Sequence, residues 1–148
     1  MPATTAVSSD LPPPVALWRR FAAMFYDALA LLGIWFVVGG IGVGLEHGVA
    51  VPADSLLFKG VLLLLSYLYF AFCWRRGGQT LGMKSWRLRV VNASGTRLTW
   101  RQTLLRFGAG ILSWLPLAMG YWWSLVDPAR RTWTDRASDS QLVRVTGR

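Results

Sequence analysis

Three long apolar blocks separated by polar stretches organise this chain. The first runs from Phe21 to Leu45, the second from Leu56 to Trp74 and the third from Leu104 to Val126. At about 1.5 Å per helical residue the first two reach roughly 37 and 28 Å, enough to cross a hydrocarbon core of about 30 Å. The first also exceeds the apolar region of about 7–15 residues found in a cleavable signal peptide, so it is expected to stay as an anchor. Pro116 and Gly120 interrupt the third block, whose parts Leu104 to Leu115 and Pro116 to Val126 each suit about half a bilayer. They predict a broken segment, either a re-entrant pair hinged at Pro116 or a third span. Residues 1–14, with Pro12, Pro13 and Pro14 and no apolar period, read as a disordered tail. A membrane domain over 15–145 and a short tail over 146–148 complete the division.

Between the second and third blocks the pattern shortens to an alternation. Trp86 to Val91, the turn residues Asn92-Ala93-Ser94-Gly95 and Thr96 to Trp100 predict a β-hairpin, which the strand-like Gln141 to Val145 can join. The fold class expected is therefore an all-α integral membrane protein with two full transmembrane helices. A third, Pro-broken hydrophobic segment and a small cytoplasmic β-hairpin accompany them.

Charge sets the orientation. From Arg75 to Thr103 stand Arg75, Arg76, Lys84, Arg87, Arg89, Arg97 and Arg101 with no acid, whereas the loop after the first block carries Glu46, His47 and Asp54. The positive-inside rule places the basic segment in the cytoplasm, and with it the N-terminus, of a bacterial inner membrane. The basic tail residues Arg130, Arg131, Arg136, Arg144 and Arg148 favour a third block that returns to the same side. A net charge of +9 can signal nucleic-acid binding. With 53% hydrophobic residues, anionic lipid headgroups are the simpler partner and nucleic acid is not expected. Trp18-Arg19, Trp74-Arg75, Trp86-Arg87 and Trp100-Arg101, with Arg76, read as anchors at the headgroup level, since indole rings settle there and guanidinium pairs with phosphate.

Cys73 is the only cysteine and His47 the only histidine. Cysteine-based zinc sites, disulfides and Cys/His catalysis therefore have no support, and no cofactor, metal or enzymatic activity is expected. The candidate chemistry is one acid inside the first apolar block. Asp27 follows Arg20 by about two helical turns, roughly 10 Å deeper, where an ionised carboxylate costs about 2.5–3.5 kcal/mol. Arg20 on the same helix face, or Arg106 at the start of the third block, is the expected partner. The pair either locks helices together or exchanges a proton or cation during transport, with Ser66, Tyr67 and Tyr69 as possible hydroxyls on the path. Asp135, flanked by Arg130, Arg131 and Arg136, is expected in a cytoplasmic salt bridge or a turn cap.

In order and spacing these segments resemble the RDD family of membrane proteins, named for one arginine and two aspartates. The resemblance runs from about Val15 to Val145. It rests on Arg20 with Asp27, on Gly78-Gln79-Thr80-Leu81-Gly82-Met83-Lys84 through Leu88-Arg89-Val90-Val91, and on Asp127-Pro128 leading to Trp133-Thr134-Asp135-Arg136. It implies that Arg20, Asp27 and Asp135 are the name-giving residues and that the protein transports an unidentified ion or small solute. Ala137-Ser138-Asp139-Ser140 departs from the family pattern, where a leucine and a Gly-Thr pair usually precede the last strand. The alternative expectation is a non-catalytic scaffold that holds anionic lipid or a partner protein on its basic cytoplasmic face. Two or three spans enclose no pathway alone, so a homo-oligomer is expected.

Overall fold

The computed structural model describes residues 15–52, 54–115 and 117–145. The tails predicted at 1–14 and 146–148 and the hinge position Pro116 lie outside them. Helix α1 spans Leu17–Leu45 and α2 spans Leu56–Arg76. Then come the short α3 (Leu81–Ser85), strand β1 (Leu88–Asn92) and α4 (Trp100–Trp114). Helix α5 (Met119–Trp122), a 3-10 turn at Trp123–Leu125, α6 (Trp133–Ala137) and β2 (Ser140–Arg144) complete the order.

Two helices, α1 and α2, are long and apolar enough to cross a membrane. The most apolar 18 residues of α1 contain no buried residue, and Phe36 and Leu45 are 84% and 75% exposed. A continuous apolar surface of this extent is rare on a soluble monomer, because water would penalise it; lipid does not. Ser55 caps the start of α2 by accepting from Phe58 N at 3.3 Å. At its other end Arg75 and Arg76 complement the helix dipole.

Helix α4 begins in a capping box, with the Thr99 hydroxyl accepting from Gln102 N and the Gln102 side chain from Thr99 N. It and the Met119–Leu125 segment are apolar enough together to count as one span, but their axes bend by 107°. Leu117 (φ 51°) and Ala118 (φ 60°) both take left-handed backbone at the break.

The β element corrects one expectation. β1 pairs antiparallel with β2, from Leu88 opposite Arg144 to Asn92 opposite Ser140, rather than with Thr96–Trp100 in a hairpin. The turn does form, because Asn92 Oδ1 accepts from Ser94 N and Thr96 N at 3.0 and 2.8 Å. The chain after it is claimed by the cap of α4, and β2 brings the apolar Leu142 beside Leu88 and Val90.

Those three residues, with Val15, Ala23, Trp74 and Leu98, make the apolar core, which lies at one end of the long helices where the sheet and the short helices gather. Among the described residues, much of the interior elsewhere is polar: Arg20, Asp27, Arg106 and Asp135 are all buried. The molecule turns apolar side chains outward along its length and folds polar ones into its basic end.

Candidate functional site

The four charged residues predicted as a site are all buried, yet they fall into two clusters rather than one. In the first, α6 presents Asp135 at its third position. There Asp135 closes a capping box with Thr132: Asp135 N donates to the Thr132 hydroxyl at 3.3 Å and Thr132 N donates to Oδ2 at 3.2 Å. That cap fixes the carboxylate, and two guanidiniums converge on it. Arg20 Nη1 from α1 donates to Oδ2 at 2.7 Å, and Arg106 Nη1 from α4 donates to Oδ1 at 2.7 Å. Arg106 Nη1 also donates to Ser140 Oγ at 2.7 Å at the start of β2. Burial pushes the Asp135 carboxyl up, but the charges of Arg106 and then Arg20 outweigh it and hold the group below the usual carboxylate range.

The second cluster surrounds Asp27. Tyr69 of α2 donates to Oδ1 at 3.1 Å, Thr80 Oγ1 to Oδ2 at 2.5 Å and Gly82 N to Oδ1 at 2.9 Å. The segment from Gly78 to Lys84 is thus a clamp on α1. Gly78 takes φ +67°, and a side chain there would meet the carbonyl of Val90, whose own N–H donates to Gly78 O at 2.7 Å. Gly82 lets α3 lie against α1 so closely that a Cβ would overlap the carbonyl of Ala23. Thr80 works twice, giving its proton to Asp27 and accepting from Met83 N at 3.2 Å to cap α3.

The expected pairing of Asp27 with Arg20 or Arg106 is therefore corrected. Arg20 lies about two turns from Asp27 along α1, whereas the capped carboxylate of α6 stands at contact distance; both arginines go there. Asp27 is satisfied by neutral donors and holds no cationic partner among the described residues. Of the three hydroxyls expected on the path, Tyr67 meets Thr103 Oγ1 at 3.3 Å, Ser66 donates to Leu62 O at 2.7 Å, and Tyr69 alone of the three reaches Asp27.

The Trp-Arg pairs divide. Trp18 and Trp100 are exposed; Arg19 lies over Trp18 at 4.9 Å, and Arg75 stacks on Trp100 at 4.3 Å rather than on its neighbour. Trp86 is half-buried, set edge-on against Trp18 at 5.2 Å, while Arg76, Arg87 and Arg101 are exposed. Trp74 departs from the anchor role. It is 6% exposed, stacks on Phe70 at 5.2 Å and has the Arg106 guanidinium 5.5 Å from its ring.

A cavity of about 600 Å³ between α1, α2 and α4 touches both clusters, with Arg20, Arg106 and Asp27 on its wall. Sequence matching now joins this geometry, for residues 14–139 match the RDD family. The chain belongs to the RDD family. No curated protein and no solved structure matches it. Within this member of the RDD family, Arg20 and Asp135 contact each other directly, and Asp27 is held separately by the glycine-threonine segment. Thr80 and Gly82, read from sequence only as part of the glycine-threonine segment, and Thr132 and Ser140, given no role there, complete the two clusters; the Thr132-x-x-Asp135 spacing is the sequence sign of a capping box.

Proposed function

We propose that this RDD protein moves an ion or small solute across the membrane, with Asp27 as the group that exchanges a proton or cation. One observation carries the reading: Asp27 lies on the wall of the cavity, buried, with no cationic partner among the described residues. An intramembrane carboxylate without a counter-ion is costly, roughly 2.5–3.5 kcal/mol on insertion scales, and binding a proton or cation relieves that cost reversibly. Pairing such a group with a cavity gives the site two charge states that a transport cycle can use.

Topology supports the same reading. β1 follows α2 and β2 follows the third apolar segment, yet the two are hydrogen-bonded. A segment whose two ends meet in one sheet enters and leaves the membrane on one side, so α4 and α5 form a re-entrant pair. The exposed arginines at this end favour the cytoplasmic side of a bacterial inner membrane, with the N-terminus on that side. Two crossings enclose no complete path, so the working form is a homo-oligomer, and anionic headgroups are its lipid partners.

The test is proton or cation flux in proteoliposomes under an imposed gradient. Asp27→Asn keeps the shape and the Tyr69 and Gly82 bonds, so it should insert at normal abundance and lose flux. Unchanged flux removes the reading. A second reading, a non-catalytic scaffold, is favoured by the exposed indoles of Trp18 and Trp100, each with a half-buried arginine against it, which suit a lipid or protein surface. In that case neutralising Arg87, Arg89 and Arg97 weakens liposome association in a salt-dependent way, and Asp27 is indifferent to flux.

A further inference from the structure

Arg20, Asp27, Arg106 and Tyr121 make the polar end of the cavity, Lys59 near the start of α2 lies on its wall, and Leu31, Leu62 and Ile111 are among its apolar walls. Ile111, Leu63 and Trp114 at the margin are 45%, 54% and 56% exposed, so the space opens sideways onto the lipid-facing surface. Its volume of about 600 Å³ falls within the roughly 300–1,000 Å³ typical of ligand sites.

The polar end is not neutralised by its own ion pairs. Two guanidiniums share the single carboxylate of Asp135, which leaves one positive charge, and Asp27 contacts neither of them. Nor are their donors used up. Arg20 uses Nη1 on Asp135 and Nη2 on Arg130 O, and its Nε is enclosed without a partner. Among the described residues, by contrast, Arg106 donates through Nη1 alone and keeps Nε and Nη2 for a ligand. A phosphate oxygen supplies the remaining Arg106 donors with charge-assisted bonds. With Asp27 and Lys59 on the wall offsetting each other, the cavity keeps one positive charge, which fits one phosphodiester.

From this we infer that the cavity holds an anionic phospholipid, its phosphate at Arg20 and Arg106 and an acyl chain along the walls formed by α1, α2 and α4. A free inorganic anion leaves those walls empty, whereas a zwitterionic lipid brings its own cation to the buried positive end. The inference names a ligand class for the cavity of the proposed transport reading and rests on that reading only for its purpose, since binding is measured without flux.

The experiment uses the full chain, stripped of lipid in a neutral detergent and titrated under native mass spectrometry. The probes are phosphatidylglycerol, phosphatidylcholine with the same chains, and inorganic phosphate. One phosphatidylglycerol should bind per chain, at least tenfold more tightly than either alternative. It should persist when Arg87, Arg89 and Arg97 are changed to Gln, which separates the cavity from the basic surface. Gly110→Leu projects into the cavity, because a Cβ there meets the Tyr121 hydroxyl at 3.7 Å and Thr134 Cγ2 at 3.8 Å. It should weaken binding at least tenfold without touching the ion pairs. Leu31→Trp blocks the opposite wall and replaces it if Gly110→Leu does not fold.

Equal affinity for phosphatidylcholine or for inorganic phosphate overturns the proposal, as does undiminished binding in a folded occlusion variant. A chain that conducts but holds no phospholipid sinks this proposal alone. One that holds the phospholipid but conducts nothing sinks the transport reading alone.

Discussion

Arg20 and Asp135 are 115 positions apart in the chain and 2.7 Å apart in space, and both side chains are nearly inaccessible. Together with Arg106 they tie the first helix, the third apolar segment and the last helix to one carboxylate. Removing one partner from a buried pair strands the other, at about 3–5 kcal/mol. Asp135→Asn should therefore destabilise the protein by that order, read as a lower unfolding midpoint in detergent. Asp135→Asn combined with Arg20→Met and Arg106→Met should recover part of the loss, since no unpaired charge remains. A neutral Asp135→Asn result would mean that the pair is not buried.

Acid should act through the same carboxylate. Burial raises its pKa, but Arg106 and Arg20 lower it further, so the folded value lies below the unfolded one. Such a group contributes its full stabilisation above its unfolded pKa, about 3.9, and loses it as pH falls through the folded value. The contribution of Asp135 should be constant from neutral pH down to about pH 4 and disappear in more acidic solution. Thermal unfolding of the wild type and Asp135→Asn across pH 3–7 measures it. The two curves should converge only at the acid end; convergence beginning above pH 5 would contradict a depressed carboxyl.

The Gly82 approach gives a sharper structural contrast. Any side chain there enters the carbonyl of Ala23 on the facing helix, and backbone cannot yield as a flexible side chain does. Gly82→Ala should cost about 2–4 kcal/mol and detach the clamp from Asp27. Gly60→Ala in α2 meets nothing within 4 Å and should be neutral or stabilising by up to about 1 kcal/mol through helix propensity. Folded abundance of the two variants, compared in one membrane preparation, decides the matter; equal abundance would refute the close packing.

How far the sequence reveals this arrangement depends on the range of the interaction involved. The long helices are legible because the cost of apolar surface in water is local and adds along the chain, so Phe21 to Leu45 and Leu56 to Trp74 nearly reproduce α1 and α2. Arg20, Asp27 and Arg106 stand out for the same reason, as charges with apolar neighbours, whereas Asp135 stands out through the family resemblance. Which charge meets which does not follow from spacing. Asp135 lies among basic residues that suggest an exposed bridge, and only the fold brings α1 and α4 to it. The strand pairing fails similarly: Asn92-Ala93-Ser94-Gly95 predicts its turn correctly, but Thr99 and Gln102 draw the next residues into a helix. The left-handed Leu117 and Ala118 carry no glycine or asparagine to announce them. Trp74 shows the limit of composition, for an indole beside arginine suits the headgroup level and the core equally well.

The register between β1 and β2 makes the topology measurable. In a Cys73→Ser background, single cysteines at Arg89 and Arg144 lie on exposed positions of the two strands, and one at Glu46 lies in the loop after α1. If the third apolar segment turns back, a membrane-impermeant maleimide should label positions 89 and 144 only in inside-out vesicles, and position 46 only in right-side-out ones. A third crossing would separate strands that the structure joins from Leu88 opposite Arg144 to Asn92 opposite Ser140. It would also leave Arg20 and Arg106 on the far side of the bilayer from their carboxylate. Labelling of position 144 from the outer face, with position 89 labelled from the inner, would therefore refute the re-entrant turn and both ion pairs at once.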